Sequence, residues 1–192
     1  NLAPVVRSAA VVLQPVSAYD YGGIEELAAE SFTLLSSGNY ERKIFPEQIA
    51  FNSFPLSEKM GPDGYSLKEE QVKQEIKNIL AGKNINLSLS IVQVPVFHGY
   101  GLMIYTELAE NKQLSEVENV FRKNCLFKYF PANSSQLISN KLAAGKDEIF
   151  VGHLRKEADC PGSFWIWVAA DNLSAGSAVN ALGLARKILG VK

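Results

Sequence analysis

No apolar run in this 192-residue sequence approaches the ~20 residues that a membrane-spanning helix needs; the longest, residues 9–13 and 164–170, are strand-sized. The opening Asn1-Leu-Ala-Pro4 lacks the basic stretch and apolar run of a secretory signal. It also lacks Met, which suggests a chain that has been cut, processed or excerpted. Cysteine is scarce: Cys125 and Cys160 stand far apart with no CxxC spacing, and only two histidines accompany them. That set lacks the spacing of a structural metal site. Reduced thiols and a cytoplasmic location are the natural reading, with one disulfide left open. An excess of one charge is absent too. Lys and Arg total 19 against 20 Asp and Glu, a net charge of −1, and no basic run exceeds Arg42-Lys43 or Arg186-Lys187. Nucleic acid and anionic membranes are therefore not expected partners.

What is present is the balance of a soluble globular chain: 47% hydrophobic and 20% charged residues, over a length that can bury its own core. A single domain over residues 1–192 is expected, without internal repeats or low-complexity segments.

Residues 5–15, rich in Val and Ala, read as a mostly buried strand. Gly22-Gly23 follows, and Ile24, Leu27, Ala28, Ser31, Leu34 and Leu35 recur at helical spacing up to a stop at Ser36-Ser37-Gly38. Residues 45–55 are irregular and aromatic, and Met60-Gly-Pro-Asp-Gly64 is a turn by composition. Ser66 with Glu69 three residues on forms a capping box for a second helix, whose apolar face is Val72, Ile76, Ile79 and Leu80. Two strands follow, residues 86–97 and 102–108, separated by Gly99 and Gly101. In the first, Ser88 and Ser90 alternate with Leu89 and Ile91, which gives the strand two different faces. Residues 114–123 read as a third helix capped by Ser115. Beyond an extended stretch at 124–130, residues 131–145 are mostly loop with room for one helical turn. Strands at 148–154 and 163–170 are joined by an Asp159-Cys-Pro-Gly162 turn, and a last helix runs from a Ser174 cap to Leu189. This order predicts an α+β domain, a mixed and largely antiparallel sheet with helices packed on one face. Trp165 and Trp167 read as packing groups of a buried strand, His153 as a satisfied sheet histidine, Cys160 as a turn residue and Cys125 as a small buried hydrophobe. Tyr19-Asp20-Tyr21 reads either as a pocket lining or as an aromatic turn ahead of a helix.

Four blocks taken together resemble the C-terminal, dimerisation half of the aspartate-semialdehyde dehydrogenase family. Leu13-Gln-Pro-Val-Ser-Ala-Tyr-Asp-Tyr-Gly-Gly-Ile-Glu-Glu-Leu27 is similar to the family's Gln-x-Val-Ser segment and following helix. Ala50-Phe-Asn-Ser-Phe-Pro55 is similar to its Phe-Asn-x-x-Pro. Val92-Gln-Val-Pro-Val-Phe-His-Gly99 resembles its strand before a catalytic histidine, and Asp147-Glu-Ile-Phe-Val-Gly152 with Val168-Ala-Ala-Asp-Asn-Leu-Ser-Ala-Gly176 completes the set. The resemblance implies a two-domain, NADP-dependent enzyme of amino-acid biosynthesis that forms homodimers across this sheet, with alternating apolar strands such as residues 87–96 and 164–168 at the interface. Its N-terminal Rossmann half carries the phosphate loop and the nucleophilic cysteine, which would both lie upstream of Asn1. No GxGxxG occurs in the sequence. NADP would bind mainly through that half, so no cofactor is expected for these residues alone. The helix at 174–189 would pack back on it, leaving Val179 or Leu182 exposed, or covered by a neighbouring copy.

Carried over position by position, the resemblance places Gln14, Lys68, Gln71 and Gln93 in the substrate pocket. Gln14 is retained, whereas Lys68 and Gln71 stand where the family has a glutamate and a lysine. Gln93 replaces the arginine that holds the substrate carboxylate, and Tyr100 replaces the general acid/base histidine. Ser17, Ala18 and Asn172 fall at the cofactor side, with Ala18 a departure from the family's glycine. His98 lies two residues before the lost histidine, but Gly99 would bend the chain between them.

These exchanges have a size. An arginine fork gives a carboxylate two charge-assisted hydrogen bonds, and glutamine offers one neutral donor group. Loss of a positioned acid/base group costs roughly 10²–10⁴ in rate, and a tyrosine of ordinary pKa about 10 is a poor substitute near neutral pH. Together the deficit is on the order of 5–8 kcal/mol of transition-state stabilisation. The expectation is a catalytically degenerate, homodimeric scaffold similar to the Usg proteins, with a small-molecule ligand still possible. The rival is the C-terminal half of an active NADP-dependent dehydrogenase whose substrate offers Gln93 a neutral group.

Overall fold

Ten residues of mostly small and branched apolar side chains, Val5–Gln14, form strand β1 inside a seven-stranded sheet. The computed structural model describes residues 2–56, 60–80, 82–174 and 179–190. After β1 come helix α1 (Asp20–Leu35), strand β2 (Phe54–Pro55), helix α2 (Leu67–Ile79), strands β3 (Asn86–Gln93) and β4 (Tyr100–Leu108), helix α3 (Leu114–Lys123), strand β5 (Phe127–Tyr129), the single turn α4 (Asn140–Ala143), strands β6 (Ile149–Lys156) and β7 (Ser163–Ala170), and helix α5 (Val179–Leu189). The sheet order is β2-β3-β1-β4-β7-β6-β5. β1 runs parallel to β3 and β5 parallel to β6, while the other four pairings are antiparallel. The expected mixed, largely antiparallel α+β sheet is what forms.

Register assigns the two faces. Residues directly opposite share a face, so Ala10, Val12 and Gln14 of β1 lie with Leu89, Ile91 and Gln93 of β3. Leu56, just after β2, and Val72 of α2 pack on that side, and Val117 and Phe121 of α3 pack on Phe164 and Ile166 further along it. Burying a side chain as completely as Phe164 contributes roughly 1.5–3 kcal/mol. The capping box of α2 is present: Ser66 Oγ accepts from Glu69 N over 3.2 Å and Glu69 Oε2 accepts from Ser66 N over 2.9 Å. The same buried carboxylate takes Ile91 N at 2.7 Å, which bolts α2 to the edge of β3.

Some expectations need correcting. α3 spans the expected residues 114–123, but its cap is Gln113 and not Ser115, with Gln113 and Glu116 forming the capping box. β3 stops at Gln93, since Pro95 has no N–H to continue the ladder. α4 packs Leu142 and Ala143 on Phe150 and Ala169, on the face opposite α2 and α3. Cys125 is exposed, not buried. His153 is also exposed and has φ +47° at a register shift in β6, so it is a bulge residue. The Tyr19 ring packs edge-on against Phe45, with centroids 5.0 Å apart, while Tyr21 is exposed, so this aromatic turn is a packing device. The segment joining Ser174 to α5 lies outside the described residues, and so does the side chain of Val179. Leu182 is 60% exposed and Ile188 83%, as an uncovered last helix requires.

Candidate functional site

β1 and β3 end side by side because they are parallel and in register, and their last residues are Gln14 and Gln93. Tyr100 opens β4 against the same end of the sheet. Both glutamines are completely buried. Gln14 Nε2 donates to Gln93 Oε1 over 2.9 Å, and Gln93 Nε2 donates to the Gln14 carbonyl over 3.0 Å and to the Val94 carbonyl at 3.4 Å. The Tyr100 hydroxyl donates to Gln14 Oε1 at 3.3 Å. Phenol, amide, amide and backbone thus form one directed chain. Both amide hydrogens of Gln93 end on main-chain carbonyls. Burial without a compensating charge pushes the Tyr100 phenol above its ordinary pKa, so it is neutral across the physiological range.

A second polar cluster sits beside the first. The Ser17 hydroxyl lies 3.3 Å from Asn172 Oδ1 and 3.2 Å from its Nδ2. The same Oδ1 accepts from Gly99 N at 3.2 Å. Asn140, at the start of α4, donates to the Gly99 carbonyl over 2.7 Å, so two asparagines hold the two ends of one glycine. Gly99 has φ +85°, and a Cβ there would sit 2.8 Å from the Asn140 carbonyl. That left-handed bend separates His98 from the register of β4. The His98 Nδ1 is buried and has no hydrogen-bond partner.

The structure therefore joins Gln14, Gln93 and Tyr100 directly, and Ser17 with Asn172 directly. Lys68 and Gln71 are not joined to them: among the described residues neither bonds to Gln14 or Gln93, and Gln71 instead donates to Glu75 over 2.9 Å. The backbone amides of the turn at Ser17 are paired within the chain. Ser17 N donates to the Phe97 carbonyl and Ala18 N to the Pro15 carbonyl, so neither amide is left for a ligand. Asn140 and Asn172 share the Gly99 turn. The pairing of Asn140 with Gly99 was not legible beforehand, since Asn140 sits in a stretch without periodicity.

Two buried carboxylates of α1 were equally hidden. Glu26 accepts from the backbone N–H groups of Lys43, Ile44 and Phe45, and Glu30 from those of Ile49 and Ala50. Their i,i+4 spacing places both on one helix face, where they organise the loop that flanks the site.

The opposite face of the sheet is open in its middle. Ala9, Val11, Ser88, Ser90, Met103 and Trp165 line a trough of about 430 Å³ there. Beside it Met103, Phe130, Pro131, Leu137, His153 and Trp167 contribute to a cavity of about 250 Å³. Among the described residues no helix is long and apolar enough to cross a membrane, and no cluster of metal-ligating side chains occurs.

An α+β domain with one helix-covered face, one open apolar face and a polar cluster at its strand ends is the class that these features define. Comparison with known proteins gives it a family. The family model described as "Semialdehyde dehydrogenase, dimerisation domain" matches residues 2–175. Aspartate-semialdehyde dehydrogenase of Shewanella violacea is 31% identical over 176 residues, covering 92% of this chain and 52% of that protein. Solved aspartate semialdehyde dehydrogenase II from Vibrio cholerae, complexed with ASA, superposes with a TM-score of 0.91 at 27% identity, over 97% of this chain and 55% of that one. The Candida albicans enzyme with NADP shares the fold at a TM-score of 0.61 and 16% identity. This chain belongs to the semialdehyde dehydrogenase family and is its dimerisation domain. It spans about half the length of the curated relatives that it matches.

Proposed function

We propose that this domain is a homodimerising scaffold in which the catalytic groups of the family have been exchanged for a closed hydrogen-bond network, so that it does not turn over an aldehyde. One observation carries the reading: both amide hydrogens of Gln93 are committed to the main-chain carbonyls of Gln14 and Val94. A substrate carboxylate, or the neutral group that the rival reading supplies, meets no free donor there without breaking a buried bond, at about 1–3 kcal/mol. Tyr100 supports the same reading, because a phenol with its pKa raised by burial is a weak base and a weak acid near pH 7.

NADP, with which the Candida albicans enzyme was solved, would bind mainly through a Rossmann half, with Ser17, Ala18 and Asn172 on the side of the site that faces it. The exposed apolar side chains of α5 suit a helix that packs on such a half. The homodimer would form across the open sheet face, in the cytoplasm, without nucleic acid or membrane. Two measurements test this on the full-length protein that carries the domain. Sedimentation velocity should give a dimer at micromolar concentration, and calorimetric titration with an amino-acid semialdehyde analogue should give no heat. A monomer, or saturable binding with the affinity of a working enzyme, would overturn the reading.

A further inference from the structure

The stretch from Phe130 to Asn140 touches both sides of the molecule that matter. At one end Asn140 Nδ2 holds the Gly99 carbonyl at 2.7 Å, and Gly99 immediately precedes Tyr100. Glycine at 99 and 101 is what lets it approach. A Cβ on Gly101 would lie 2.9 Å from Asn140 Oδ1 and 2.6 Å from the Trp167 ring. Trp167 in turn donates its indole N–H to the Ile138 carbonyl over 3.1 Å. Asn140, Gly101, Trp167 and Ile138 therefore form one packed unit between β4, β7 and the segment.

At the other end the same segment walls the open sheet face. Phe130, Pro131, Leu137 and Ile138 line the 250 Å³ cavity together with Met103 and Trp167. Leu137 is 87% exposed, although its neighbour Ile138 is packed on Phe150 and Ala169. An apolar side chain held outward on an anchored segment, beside a cavity that carries Trp167 and Met103, suits contact with a partner surface. Met103 belongs to this cavity and to the 430 Å³ trough beside it, so the two form one continuous apolar surface. The family is described as a dimerisation domain, which argues for a second copy as the occupant of this surface.

We propose that Asn140 is a positioning residue for the Gln14–Gln93–Tyr100 cluster, and that a second copy of this chain, seated on the open sheet face against Leu137 and Trp167, sets its position through residues 130–140. The inference rests on the homodimer reading and goes beyond it. Contact at Leu137 and Trp167 fixes Ile138, Ile138 fixes the start of α4, and the Asn140 amide fixes the Gly99 turn from which Tyr100 reaches Gln14. Packed units of this kind transmit strain because interiors are dense and have few alternative arrangements.

The test labels the protein with fluorotyrosine and follows the fluorine resonance of Tyr100, identified by its loss in Tyr100→Phe, through a dilution series run beside sedimentation. The Tyr100 resonance should change in step with the dimer fraction. Leu137→Asp should raise the dimer dissociation constant roughly tenfold or more and hold Tyr100 at its monomer position. Asn140→Asp keeps the side-chain shape but removes the donor; it should shift Tyr100 at every concentration and abolish its response to dilution, while dimerisation persists. A dimer that forms while the wild-type Tyr100 resonance stays fixed overturns the coupling and leaves the homodimer reading intact. A protein that stays monomeric at every concentration overturns both.

Discussion

Gln14 and Gln93 exchange hydrogen bonds in both directions: the side chain of Gln14 donates to Oε1 of Gln93 over 2.9 Å, and the side chain of Gln93 donates back to the Gln14 carbonyl over 3.0 Å. The pairing follows from parallel register, which sets the last residues of β1 and β3 beside each other. A guanidinium at position 93 would extend beyond this reach and carry a charge into a space where both glutamines are fully buried.

Truncation of one partner should cost more than replacement of both. Gln93→Ala strands the Gln14 amide, while the Gln14 and Val94 carbonyls keep the N–H groups of Val94 and Val96, and should lower the unfolding free energy by about 1–3 kcal/mol in urea titration. Gln14→Leu with Gln93→Leu removes both polar groups together and should recover at least half of that loss. A double variant as unstable as the sum of the singles would contradict the pairing.

Gly99→Ala should destabilise by on the order of 2–4 kcal/mol, because φ +85° disfavours an L side chain and the added Cβ would press on the Asn140 carbonyl. Thermal melts would measure it. A neutral substitution would show that the bend is not fixed by the two asparagines.

Glu26→Ala removes the acceptor of three backbone N–H groups and should release residues 43–45 to hydrogen exchange and proteolysis, with a stability loss of about 2–3 kcal/mol. Glu30→Ala should expose the amides of Ile49 and Ala50 in the same way. Unchanged protection at those five amides would refute the role given to α1.

Stability should fall in alkali. Burial raises the phenols of Tyr100 and Tyr129, and a hydrogen bond to Glu118 raises that of Tyr129 further. Below pH ~10 both are neutral in the folded and unfolded chains and exert no pH dependence. Above it the unfolded chain ionises first, so folding free energy is lost as pH rises toward the folded values. Tyr129→Phe should flatten the decline seen in urea titrations between pH 9 and 11, chosen as roughly one unit either side of the ordinary phenol pKa. An equally steep decline in that variant would assign it elsewhere.

The strands and long helices were legible because their signals are local. Alternation in β3, helical spacing in α1 and the Ser66–Glu69 cap each act within a few residues. The polar cluster was legible only by resemblance, since Gln14, Gln93 and Tyr100 are 79 and 86 positions apart at their hydrogen bonds. Asn140, Glu26 and Glu30 went unread for the opposite reason. Each is a polar residue whose partner is a backbone group in a loop, and no side-chain pattern announces such a bond. Lys68 and Gln71, placed by resemblance alone, lie on α2 and make no bond to the polar cluster among the described residues.

The central claim is that a glutamine amide spent on the main chain and a neutral phenol cannot support the family's chemistry. Steady-state absorbance at the NADPH band, with the full-length protein, aspartate semialdehyde, phosphate and NADP, tests it most directly. The account predicts a rate at least ~10⁴ below that of a family member with arginine and histidine at these two positions. Turnover within roughly tenfold of that enzyme would contradict it.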